Sequence, residues 1–129
     1  MPNIAPKILN ILPPRHVIAL HGDLGSGKTT FTQHLAKELG ITKRVISPTY
    51  VLMRQYSIPK HPQYKNLVHL DLYRLSSSQD LKSIDLEEYL ADPKNLVIIE
   101  WAGKVNITLP PHLTIYFKVT DSGKHEITY

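Results

Sequence analysis

The sequence predicts a single α/β domain whose mixed sheet is parallel at its centre and antiparallel at its edges, with helices on both faces. Three observations predict it. Val17-Ile18-Ala19-Leu20-His21 and Leu96-Val97-Ile98-Ile99-Glu100-Trp101 are short, almost wholly apolar runs, as expected of strands covered on both faces inside a parallel sheet. After the first run, Phe31, Leu35 and Leu39 recur every fourth residue, the spacing of a buried helix stripe. Finally, residues 50–56 and 67–73 read as extended, and the connection between them, with Pro59 and Pro62, is too short for a crossover helix. Those two strands should pair antiparallel.

The chain of 129 residues is 42% hydrophobic and 20% charged, which suits one domain with one core. It has no cysteine, so disulfides and thiolate metal sites are excluded, and a reducing cytosol suits it. No apolar run approaches the length of a membrane span, and the N-terminus lacks the basic and apolar regions of a signal peptide. A soluble, cytoplasmic protein is expected. The net charge of +4 is scattered rather than gathered into a basic run, and no basic patch with interleaved aromatics appears. Direct reading of DNA or tRNA is therefore not expected.

Taken in order, residues 1–16 form a proline-rich leader in which Pro2, Pro6, Pro13 and Pro14 leave only residues 7–12 for an apolar turn of helix. This leader is expected to pack loosely beside a domain spanning 17–129, or to be the remnant of a longer element. The first strand, Val17–His21, leads into Gly22-Asp23-Leu24-Gly25-Ser26-Gly27-Lys28-Thr29, which fits the G-x-x-x-x-G-K-[ST] phosphate-binding loop at every fixed position. The chemistry requires these residue types. Glycines let successive N–H groups converge on a phosphate, Lys28 reaches its outer oxygens, and the Thr29 hydroxyl is a ligand for Mg²⁺. The helix beginning here adds the positive end of its dipole. Gly40 stands where a helix C-terminal glycine belongs.

Val45-Ile46 reads as a brief strand that ends in a loop at Ser47-Pro48-Thr49-Tyr50, because Pro48 holds Ser47 extended. In residues 67–73 the period of two puts His69, Asp71 and Tyr73 on one face, and Asp71 becomes the polar residue to explain. Ser77 with Asp80, and Asp85 with Glu88, read as capping boxes for two short helical pieces, the first bearing Leu81 and Ile84, the second Leu86, Tyr89 and Leu90. Their carboxylates are better explained as caps than as catalysts. The second apolar run ends in Glu100, the shape of a Walker B strand, which places that acid where nucleotides bind in open α/β sheets. Leu113–Val119 alternates again, and after a turn at Asp121-Ser122-Gly123-Lys124 the chain ends in an edge strand.

Four segments in this order, Gly22 to Thr30, Ser47-Pro48-Thr49-Tyr50, His69-Leu70-Asp71-Leu72-Tyr73-Arg74-Leu75 and Ile99-Glu100-Trp101, resemble the bacterial TsaE (YjeE) family. The first is shared by many nucleotide-binding proteins, whereas the second and third are far more specific. The resemblance implies a small P-loop ATPase that assists the synthesis of threonylcarbamoyladenosine in tRNA. It further implies docking on TsaD and TsaB, with tRNA met only through the complex, and ATP and Mg²⁺ as ligands. By similarity, Lys28 and Thr29 hold phosphate and metal, Glu100 supports the metal, and Asp71 activates water or completes the metal shell. Residues 47–50 would then be a nucleotide-sensing switch, and Trp101 would lie near the nucleotide. The expected site thus has Asp23, Leu24, Gly25, Ser26, Gly27, Lys28, Thr29, Thr30, Thr49 and Trp101 around the nucleotide. Thr29, Asp71 and Glu100 face the metal, and Lys28, Asp71 and Glu100 carry the chemistry.

Plainer readings compete. Asp71 can pair with Arg74 or be a charge at the sheet edge, and Glu100 can be a strand end emerging into water. His21 and His69 read most simply as strand residues, with no second ligand at zinc spacing. Arg44, Arg54 and Arg74 are candidate stabilisers of phosphate charge among which the sequence does not choose. A small-molecule kinase and a nucleotide-gated scaffold that does not hydrolyse ATP remain as alternative functions.

Overall fold

The computed structural model describes residues 3–46, 52–73, 85–104 and 107–129. Its centre is β1 (Val17–His21), whose first four residues are buried, flanked by β4 (Asn95–Glu100), buried along its whole length. Runs this apolar are stable only when both faces are covered, and each fully buried Leu or Ile contributes roughly 1.5–3 kcal/mol. The sheet also contains β2 (Met53–Ser57), β3 (Asn66–Asp71), β5 (Leu113–Val119) and β6 (His125–Thr128), in the order β2-β3-β4-β1-β5-β6. The four inner strands are parallel, and β2 and β6 are antiparallel to their neighbours, so the mixed sheet is as the sequence predicts. Register aligns Leu20 of β1 and Asp71 of β3 with Glu100 of β4, at the C-terminal end of the parallel strands.

Helices cover both faces. On one, α2 (Lys28–Glu38) buries Phe31, Leu35 and Ala36 against Ile18, Leu20, Leu67, Ile98 and Ile115. It ends as its glycine predicts: Gly40 adopts φ 77°, its N–H bonds to Lys37 and that of Ile41 to Ala36, the paired bonds of a Schellman turn. On the other face, α3 (Leu86–Ala91) buries Leu86 against Val68, Leu70, Val97 and Ile99. Among the described residues no helix is long and apolar enough to cross a membrane.

Three expectations are corrected. The leader does not pack loosely: residues Ala5–Ile11 form a helix, α1, and Ala5, Ile8 and Leu12 are 0% exposed in the same core as Phe31 and Leu35. Pro6 does not break it, since it lies in the first turn, where a backbone N–H has no helical partner to lose, and Pro13 and Pro14 come after its end. Val45-Ile46 is not a strand. The Val45 carbonyl accepts from the Gln33 side chain (3.1 Å) and the Ile46 N–H donates to the Tyr56 hydroxyl (3.4 Å), so side chains take the place of a neighbouring strand. The Asp85 capping box does not form either: Asp85 has φ 51°, makes no side-chain cap, and receives the Glu88 N–H on its backbone carbonyl at 3.0 Å. The Ser77–Asp80 box, its helix, and the 47–50 loop with Thr49 lie outside the described residues.

Candidate functional site

Between β1 and α2 the chain makes the turn that the glycine spacing predicts. Gly22 has φ 153°, and a Cβ built there would stand 2.6 Å from the Phe117 carbonyl oxygen and 2.6 Å from the Ser26 hydroxyl, so no larger residue fits. Gly27 has φ 115° and opens α2. The Ser26 N–H donates to the Asp23 carbonyl at 3.1 Å, closing the turn beneath the start of the helix.

Lys28 is buried at that start. Its ammonium donates to the carbonyl oxygens of Gly22 and Asp23, the latter at 3.0 Å, and lies 4.8 Å from the centre of the Trp101 ring. Burial lowers its pKa from the ordinary lysine value, while Glu100, Asp71 and Asp23 pull the other way. Lys28 is thus coupled electrostatically to two acids carried by strands of the sheet.

Those acids are Asp71 and Glu100, side by side in the β3–β4 register and 6% and 3% exposed. Glu100 is thus not a strand end emerging into water. One Asp71 oxygen accepts the Tyr73 N–H at 3.0 Å. Arg74, the alternative partner of Asp71, lies outside the described residues. On the same face of β3, two residues before Asp71, the ring of His69 reaches Glu100, Nε2 to Oε2 at 2.5 Å. In the sequence alone His69 is simply a strand residue. The alternation that put it on the Asp71 face was visible, but the neighbouring strand was not.

Leu24, Gly25, Gly27, Lys28, Thr29, Thr30, Asp71, Glu100 and Trp101 line one open cavity of about 390 Å³. Nine expected residues therefore converge. Asp23 and Ser26 do not line it; they act through backbone carbonyls, one to Lys28 and one to the ring of His125, 3.2 Å away. His125, on β6, does line the cavity, and no motif announced it. Trp101 has φ 61°, so β4 turns sharply after Glu100, and its ring packs on Tyr73 at 4.9 Å between centroids. Arg44 and Arg54 are elsewhere: with Lys43 they line a separate cavity beside β2.

A glycine loop joining a central strand to a helix, opposite two acids at the ends of adjacent parallel strands, defines a P-loop NTPase-like α/β domain. The model of the family described as threonylcarbamoyl adenosine biosynthesis protein TsaE matches residues 1–127, and the chain belongs to that family. It is 35% identical to the tRNA threonylcarbamoyladenosine biosynthesis protein TsaE of Rickettsia prowazekii, over 95% of this chain and 82% of that one. To the protein of the same name from Bacillus subtilis it is 37% identical, over 90% of this chain and 70% of that one. The crystal structure of B. subtilis YdiB superimposes with a TM-score of 0.72 at 31% identity, covering 96% of this chain and 73% of that one.

Proposed function

We propose that this protein is an Mg²⁺-dependent ATPase serving the synthesis of threonylcarbamoyladenosine in tRNA, slow alone and gated by TsaD and TsaB. The observation that carries the reading is the convergence of Lys28, Asp71 and Glu100 on one cavity beside the glycine loop. Two buried carboxylates are costly unless cations meet them, and one lysine balances only one. The donor set fits a magnesium nucleotide: the loop has no room for a Cβ at Gly22, and a hydroxyl and two carboxylates face the cavity. Among the described residues no three His, Asp, Glu or Cys side chains form a cluster that would hold an ion unaided. Thr29, Glu100 and Asp71 would hold Mg²⁺, and the ion would supply neutralisation of the phosphate charge.

The chain's own groups do the rest. The loop N–H groups and the start of α2 bind and orient the phosphates. Lys28, which donates to neutral carbonyls in the free protein, gains a charged and stronger acceptor in the γ phosphate. Asp71 or Glu100 orients the attacking water and takes up its proton, giving ADP and inorganic phosphate. Trp101 closes one side of the cavity.

The test is phosphate release from Mg-ATP by the protein alone and with TsaB and TsaD, for wild type, Lys28→Ala and Glu100→Ala. A rate that rises in the complex and disappears in both variants is expected. ATP binding without release under any condition would instead leave a nucleotide-gated scaffold, and ADP formation that depends on an added metabolite would make it a kinase.

A further inference from the structure

His69 has no part in the function proposed above, yet it is 0% exposed in β3, surrounded by strands of Leu, Ile and Val. An imidazole is costly to bury there, and an aliphatic residue of similar volume would be neutral or better for stability. Its contact supplies the reason. Nε2 stands 2.5 Å from Oε2 of Glu100, a short hydrogen bond in which the ring is the donor toward an ionised carboxylate, since such a carboxylate only accepts. The other ring nitrogen, Nδ1, is buried with no hydrogen-bond partner among the described residues. The whole directional interaction of the ring is therefore with Glu100.

Register decides what that does. His69 and Asp71 share a face of β3, and Asp71 stands directly opposite Glu100 on β4. His69 thus approaches the glutamate from further down the strand, inside the sheet, whereas Asp71 and the cavity lie at the strand end. With Oε2 engaged by His69, the second carboxylate oxygen is left for the cavity that Glu100 lines.

We propose that His69 is a positioning residue: it locks the Glu100 carboxylate so that one oxygen is presented to the cavity in a fixed direction, for a divalent cation or the attacking water. This rests on the ATPase reading for the task of Glu100, but not for the geometry. Outer partners of metal ligands typically contribute 10–100-fold in metal affinity or activity.

The experiment compares wild type with His69→Leu, which keeps the volume and loses the donor, His69→Gln, whose amide nitrogen can occupy the place of Nε2, and His69→Asn, which is too short to do so. Two quantities are read in the full chain. One is the half-saturating Mn²⁺ concentration, with ADP present, followed by the fluorescence of Trp101, the single tryptophan. The other is kcat and KM for Mg-ATP with TsaB and TsaD. For His69→Leu we expect a half-saturating Mn²⁺ raised at least tenfold, kcat lowered 10–100-fold and KM for ATP within threefold, with Gln restoring most of both and Asn neither. If His69→Leu does not fold, the Gln and Asn pair decides. Unchanged Mn²⁺ half-saturation, no Mn²⁺ response in wild type, or equal behaviour of Gln and Asn overturns the proposal. If no phosphate is released even by wild type while the Mn²⁺ shift is seen, the ATPase reading fails and the positioning role stands.

Discussion

Lys28 is held between opposed influences: burial disfavours its charge, and Glu100, Asp71 and Asp23 favour it, with burial the larger. In the free protein its pKa lies below the ordinary 10.5. A bound polyphosphate requires the ammonium, so raising the pH through the lowered pKa removes the binding form before nucleotide arrives. ATP affinity should therefore fall as pH rises, starting below 10.5, and approach about tenfold per unit beyond the free-protein value. Calorimetric titration between pH 7 and 10 checks this, with Lys28→Ala as a control that should be weak and flat. Wild-type affinity that stays constant to pH 10 would mean that burial does not govern this lysine. At this scale the sequence is unusually legible, because Lys28, Thr29 and the glycines are neighbours in the chain and their spacing is their geometry. His69 and His125 were not legible, because each acquires its meaning from a residue 31 or 99 positions away.

At the scale of elements, composition misleads where context supplies what a residue lacks. Four prolines suggested a loose leader, but Pro6 occupies the one turn of helix that loses nothing by it, and Ile8 then falls on the face that meets α2. Ile8→Ala should destabilise the domain by about 2–5 kcal/mol, the usual effect of truncating a fully buried aliphatic side chain, as read from the urea midpoint at unchanged slope. A change under about 0.5 kcal/mol is what an exposed or loosely held segment would give, and it would restore the original expectation. Val45 errs in the opposite direction. Its apolar character is real and its side chain is 4% exposed, but burial does not make a strand without a partner strand to bond to. The inner strands were readable because a run such as Leu96 to Ile99 can be buried only one way, covered on both faces.

Across the whole molecule, the order β2-β3-β4-β1-β5-β6 brings the loop after β1 together with acids from β3 and β4, which follow Lys28 by 43 and 72 positions in the chain. That order is set by long-range pairing, and no local pattern encodes it; only the parallel centre and antiparallel edges could be expected in advance. Its consequence is that a ligand in this cavity would meet the glycine loop, the start of α2 and the ends of β3 and β4 at once. Mg-ATP should therefore stabilise the domain as a unit rather than order a single loop. Linkage gives about 2.7 kcal/mol at a free ligand concentration 100 times Kd. For a domain of this size that corresponds to a rise in Tm of roughly 10 °C. Calorimetry should show one transition moving as a whole, growing with the logarithm of ligand concentration. Lys28→Ala should unfold at much the same temperature as wild type without nucleotide and show little of the shift with it. An unshifted main transition at saturating Mg-ATP would mean that the ligand is not held by the core strands, and the cavity between the glycine loop, Asp71 and Glu100 would lose its claim to be the nucleotide site.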